Sequence, residues 1–149
     1  MEKKISYLGI DIGGAHLKIV GVDNDEKVIF VDYINYRIWE DLNRLKQSFL
    51  KLNKIHNSKS ITCGITMSAE LCDNFKDRKN GAKILIDYCK YLNFKTYFYV
   101  KNSKLFSKKP KYNDLISMNW HGIGKYLERK VDDAIVVDFG STTTDFICI

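Results

Sequence analysis

The chain has 149 residues, enough to bury one sizeable core, and 45% apolar with 28% charged residues fits a folded globular protein. Its net charge of +6 comes from lysines spread along the chain, with no nucleic-acid signature, so it suits a solvated surface or an anionic small molecule. No apolar run approaches the roughly 18 residues that span a bilayer, and Met1-Glu2-Lys3-Lys4 runs into Asp11 before a signal-peptide core can form. The residues read as a cytoplasmic protein with neither nucleic acid nor membrane as partner. The four cysteines, Cys63, Cys72, Cys89 and Cys148, lack CxxC spacing, which points to packed thiols rather than a zinc site.

In chain order, residues 5–10, 17–22 and 28–34 are short apolar runs separated by Gly13-Gly14 and by Asp23-Asn24-Asp25-Glu26. That pattern predicts an antiparallel meander. From Ile38 the period lengthens: Ile38, Leu42, Leu45, Phe49 and Leu52 predict an amphipathic helix of about five turns. Glu40 and Asp41 near its start and Lys51 and Lys54 near its end suit the helix dipole. Residues 60–66 predict a strand, Ala82 to Leu92 a helix, and Thr96–Val100 another strand. The stretch 101–111, rich in lysine around Pro110, reads as an exposed loop. Leu115, Ile116, Met118, Trp120, Ile123 and Leu127 predict a third helix, with Trp120 facing the core. Gly122 and Gly124 inside it mark close packing or a bend. Residues 134–138 and 144–149 are two further strands. The order is α/β, βββαβαβα and then a new hairpin, so residues 1–131 form one unit and 132–149 begin a second.

The last step echoes the first. Val137-Asp138-Phe139-Gly140-Ser141 repeats the form of Gly9-Ile10-Asp11-Ile12-Gly13-Gly14: a strand, an aspartate, one apolar residue, then glycine. Main-chain N–H groups of such turns can point into an anion, which makes Gly13, Gly14, Ala15, His16, Gly140, Ser141, Thr142 and Thr143 phosphate-binding candidates. Asp11 and Asp138 repel phosphate but can hold magnesium, directly or through its waters, and the ion then bridges to phosphate oxygens. Lys18, on the strand returning from the first turn, can reach back over it as a point charge. The pair of turns carries more weight than either alone. The strand-like end of the chain, Phe146-Ile147-Cys148-Ile149, reads as a truncation or a split gene.

GIDIGG followed by VDFGSTTTD resembles the two phosphate motifs of the sugar kinase, heat-shock protein 70 and actin superfamily. That likeness implies a ribonuclease H-like (actin-like ATPase) domain, plus the first β-hairpin of a second such domain. Three segments narrow it: Asp11 to Lys18, Thr66-Met-Ser-Ala-Glu-Leu-Cys-Asp73 with Phe75 and Arg78, and Ser117-Met-Asn-Trp-His121. Together they resemble a hydantoinase/oxoprolinase-related family tied to tetrahydromethanopterin-linked one-carbon transfer, whose archaeal members make a methanofuran precursor. The family's members are about twice this length, and the basic stretch 101–111 matches none of its motifs. The resemblance implies a transferase joining an aminomethyl-furan-methyl diphosphate to the phenol of γ-glutamyltyramine, with release of diphosphate. It implies catalytic roles for Asp11, Lys18, Glu70 and Asp138, with Glu70 as the base for the phenol proton. Ser68, Asp73, Asn119 and His121 are then substrate-facing, and Mg2+ is the cofactor.

The turns equally permit an ATP-dependent kinase or an amidohydrolase of the same superfamily, so ATP use stays open. A phosphoester-binding remnant, or one subunit completed by a second polypeptide or a missing C-terminal half, is the non-enzymatic alternative. In every case the small-molecule partner is a phosphoester.

Overall fold

The computed structural model describes residues 4–56, 59–101, 105–140 and 144–149. Strands β1 (Tyr7–Ile12), β2 (His16–Val22) and β3 (Val28–Asn35) form the antiparallel meander, with Asp11 directly opposite Lys18. Helix α1 (Asn43–Ile55) carries the chain across to β4 (Thr62–Met67), which pairs with β1 in parallel. A parallel neighbour demands such a crossover, and the helix supplies it. Helix α2 (Arg78–Cys89) then leads to β5 (Lys95–Tyr99), parallel to β4, and β6 (Phe106–Ser107) turns back beside β5. The six-stranded sheet has the order β3-β2-β1-β4-β5-β6. After helix α3 (Asn119–Leu127), β7 (Ile135–Phe139) and β8 (Thr144–Cys148) make a separate two-stranded sheet.

Alternation along the strands sorts the residues onto two faces. Leu8, Ile10, Ile12, Leu17, Ile19, Cys63, Ile65 and Met67 are buried in one cluster with Leu45, Phe49 and Leu52 of α1 and Leu85 and Cys89 of α2. The opposite face carries Tyr7, Gly9, Asp11, Lys18, Val20, Thr62, Gly64 and Thr66. Tyr7 and Val20 are exposed there, and α3 packs over its β4–β5 end, where Gly122 lies against the Tyr99 ring. The polar candidates on β1, β2 and β4 therefore share the face that α1 and α2 leave open.

Four sequence expectations change. Helix α1 starts at Asn43, not Ile38, because Tyr36 and Arg37 donate to the Ala15 carbonyl and Ile38 donates to that of Gly14. Those bonds tie the segment to the first turn before the helix can begin, and Asp41 Oδ1 then receives the Asn43 N–H at 2.9 Å. Helix α3 starts at Asn119 rather than Leu115, since Ser117 adopts φ 55°, a left-handed backbone that interrupts a helix. The basic stretch is not wholly loop: β6 lies inside it, with Phe106 edge-on to Tyr99 at 5.3 Å, which adds one strand to the expected order. Trp120 is 39% exposed rather than in the core.

Candidate anion site at the first turn

Strand β1 ends at Ile12, and Gly13-Gly14-Ala15 turns the chain into β2. The Gly13 N–H closes the hairpin on the His16 carbonyl at 3.1 Å, so it is not free for a ligand. The N–H groups of Gly14 and Ala15 have no partner among the described residues. Neither glycine has positive φ. What excludes a side chain at position 14 is space: a Cβ there would stand 2.6 Å from Cys72 Sγ and 3.5 Å from the Trp39 ring. Tyr36 clamps the turn from within, its buried phenol donating to the Gly13 carbonyl. Burial, with Cys72 and Asp11 nearby, pushes that phenol's pKa well up and keeps it a donor.

Asp11 stands at the lip of this turn. Its Oδ2 accepts from Lys18 Nζ at 3.1 Å and its Oδ1 from the Thr66 hydroxyl at 3.1 Å. The Lys18–Asp11 pair is partly open to water, with side-chain exposures of 55% and 25%, so its contribution to stability is below about 1 kcal/mol. Its effect is positional: it keeps an ammonium group beside the turn. Thr66 follows from the parallel register, which sets it level with Asp11. Ser68 comes next, its N–H bonded to the Ile12 carbonyl at 3.0 Å and its Oγ 3.9 Å from where a Gly13 Cβ would be. His16 stacks on Tyr33 with centroids 4.6 Å apart. Asp11, Gly13, Gly14, Ala15, His16, Lys18, Thr66 and Ser68 thus come from neighbouring strand ends.

Other expected residues lie elsewhere. Glu70 is 1% exposed and does not face the open surface. Its Oε1 accepts the Ser117 N–H at 2.8 Å, while Oε2 is buried without a hydrogen-bond partner among the described residues. Burial raises its pKa against the lowering effect of the Ser117 bond and of Arg78. The expected base is therefore a buried anchor for the segment leading into α3. Asp73 is exposed on the loop after the short turn Ala69–Leu71. Asn119 opens α3, and His121 Nδ1 is 2.8 Å from the Tyr99 hydroxyl. His121 lines a cleft of about 200 Å3 between α3 and β8, together with Trp120, Gly124, Lys125 and Ile147. His56 packs edge-on to Phe30 at 4.4 Å, and burial lowers its pKa.

Asp138 lies opposite Asp145 in the β7–β8 hairpin, followed by the exposed Gly140. Ser141, Thr142 and Thr143 lie outside the described residues. By alternation, Asp138 shares its face with Ile147, whose Cγ2 would be 3.0 Å from a Cβ on Gly124 of α3. Each aspartate is thus on the side of its sheet against which α3 packs.

Three residues were missed. Thr66 was legible by setting the ends of β1 and β4 level. Tyr36 and Cys72 act through contacts that no local pattern announces. As to metal, no group of three His, Cys, Asp or Glu gathers among the described residues. Asp11 is a single carboxylate with both oxygens engaged, by Lys18 and by Thr66, so a magnesium ion there would have to draw most of its ligands from water and phosphate oxygens.

No protein-family profile matches the chain. The chain is 34% identical over 151 aligned residues to (4-{4-[2-(gamma-L-glutamylamino)ethyl]phenoxymethyl}furan-2-yl)methanamine synthase of Methanocaldococcus jannaschii. That match takes in 98% of the chain and 44% of the relative. Among solved structures, an exopolyphosphatase from Cytophaga hutchinsonii overlaps at TM-score 0.48 and 14% identity, over 95% of this chain and 46% of its own. A Ppx/GppA phosphatase from Aquifex aeolicus overlaps at TM-score 0.47 and 14% identity, over 95% of this chain and 47% of its own. The chain is therefore similar in sequence to a methanofuran-precursor synthase, and it spans somewhat under half the length of that relative.

Proposed function

We propose that this chain forms the phosphoester-holding part of a transferase of methanofuran biosynthesis. In this reading it is a ribonuclease H-like unit of the hydantoinase/oxoprolinase-related family. The reaction would join an aminomethyl-furan-methyl diphosphate to the phenol of γ-glutamyltyramine. The observation that carries the reading is the Asp11–Lys18–Thr66 cluster at the lip of a turn with two N–H groups that lack a partner among the described residues. The name of the 34% identical synthase, a furan-methanamine carried on a phenoxymethyl ether with a γ-glutamylaminoethyl arm, supports that choice of substrates.

The chemistry suits those groups. The phenol oxygen forms a bond to the furan-bound methylene carbon, the bond from that carbon to the diphosphate oxygen breaks, and the phenol proton passes to solvent water. Positive charge builds on the furfuryl carbon and negative charge on the leaving diphosphate, so the main requirement is to stabilise a departing anion. Lys18 and the N–H groups of Gly14 and Ala15 do this from the protein side, while Asp11 orients Lys18. Magnesium, held by Asp11 and by Asp138 on the second lip, would neutralise diphosphate charge when bound. Thr66 fixes the Asp11 carboxylate, and Ser68 offers a hydroxyl beside the turn.

The test uses this chain joined to the unmatched part of the Methanocaldococcus relative. It is assayed for magnesium-dependent diphosphate release with both substrates. Release is expected, and Asp11→Asn should lower it by at least about a hundredfold, as removal of a group acting on the developing anion does. Unchanged rates in both Asp11→Asn and Asp138→Asn would remove the metal role. Phosphate release from ATP without diphosphate would favour a kinase or amidohydrolase instead.

A further inference from the structure

Trp39 stands beside the first turn and is 49% exposed. Its mounting is built from that turn. The Tyr36 and Arg37 N–H groups donate to the Ala15 carbonyl at 3.0 and 3.2 Å, and the Ile38 N–H donates to the Gly14 carbonyl at 2.8 Å. Arg37 takes φ 41°, a left-handed backbone that a side-chain-bearing residue adopts only under constraint. The bend closes where the Glu40 N–H meets the Arg37 carbonyl at 3.0 Å. Ile38 is thereby buried in the core while Trp39 faces outward. Glu40 holds the same bend from outside, one carboxylate oxygen on Arg37 at 2.9 Å and the other on Arg44 at 2.8 Å. The six-membered ring of the indole then lies 3.5 Å from where a Gly14 Cβ would be.

This arrangement engages the carbonyls of Gly14 and Ala15 and leaves the N–H groups of both without a partner among the described residues. An anion at those N–H groups therefore has an indole for a neighbour. Core packing does not call for the indole, because the core position of the segment belongs to Ile38. A bare anion does not call for it either, since the face of an aromatic ring is electron-rich. What suits an indole is a flat ring carried by the anion, stacked against it.

We infer that Trp39 is the platform for the furan ring of the diphosphate ester, a specificity-determining residue for that substrate. The inference rests on the transferase reading above, which supplies the furan. The furan-bound methylene is joined directly to the ester oxygen, so a diphosphate held at the Gly14 and Ala15 N–H groups sets the ring beside the indole. Stacking there selects an aromatic donor over other diphosphates and fixes the direction in which its methylene points.

The chain has two tryptophans, so Trp120→Phe leaves Trp39 as the single indole whose emission is followed. Titrations with magnesium present compare inorganic diphosphate, furan-2-ylmethyl diphosphate and the saturated oxolan-2-ylmethyl diphosphate. The furan ester is expected to quench Trp39 and to bind at least about threefold more tightly than the saturated ester, which is of similar size without a π face. Calorimetry on Trp39→Leu should show that preference gone and inorganic diphosphate bound as before, and Trp39→Phe should keep most of the preference. Equal affinities of the two esters for the unaltered chain would overturn the inference while the anion turn stood. So would an equal weakening of all three probes in both Trp39 variants, since the indole would then only brace the turn. Inorganic diphosphate that does not bind the unaltered chain at all would remove the anion site of the transferase reading, and the platform with it.

Discussion

Gly14 shows how a residue chosen for one reason serves another. The sequence suggested glycine for an unobstructed anion turn, and the backbone does not need it for φ. It needs it because Cys72 Sγ occupies the space a Cβ would take. Gly14→Ala should therefore destabilise the fold by about 1–3 kcal/mol, as overpacking does. Combining it with Cys72→Ala should recover much of that loss in urea unfolding. Additive costs would mean that the Cys72 contact is not the cause. Glu70 gives a pH prediction. Its folded pKa is raised by burial, so the stability it contributes is present in full below the ordinary glutamate pKa. It is lost as pH rises from there through the raised value. Urea unfolding followed upward from about pH 4 should show that decline, and Glu70→Gln should flatten it. Asp11 and Lys18 were legible because the hairpin register follows from a short turn. The burial of Glu70 was not, because it depends on the Ser117 N–H reaching it from a distant segment.

At the scale of elements, the three-stranded meander and the helices were legible from periodicity, and their boundaries were not. Ile38 has the helical spacing yet belongs to the turn, where its N–H is spent on the Gly14 carbonyl. Leu115 is buried on the approach to α3 rather than within it. The two glycines of α3 separate two meanings of one residue type. A Cβ at Gly122 would make an ordinary contact of 3.7 Å with Tyr99, whereas one at Gly124 would press Ile147 at 3.0 Å. Gly122→Ala should raise thermal stability by up to about 1 kcal/mol through helix propensity alone. Gly124→Ala should gain less or lose, because the propensity gain is offset by strain against β8. Equal effects would mean that the helix does not press on the hairpin.

The molecule as a whole divides its protection unevenly. The six-stranded sheet is backed by two helices, while the two-stranded one has a single docked face, and such a pair is marginal alone. Amides of β1 and β4 should exchange at least about a hundredfold more slowly than those of β7 and β8 in the isolated chain, and comparable rates would contradict this layout. The repeated aspartate–glycine turn was visible in the sequence; that the second copy is seated on α3 through Ile147 against Gly124 required coordinates. Between the two sheets stands α3, nine residues long, touching Tyr99 through one glycine and Ile147 through the next but one. It works as the shim between the six-stranded sheet and the hairpin that carries Asp138. One residue inserted between Gly122 and Gly124 would turn everything after it by roughly 100°. The hairpin would lose its seat while every residue around Asp11 stayed unaltered.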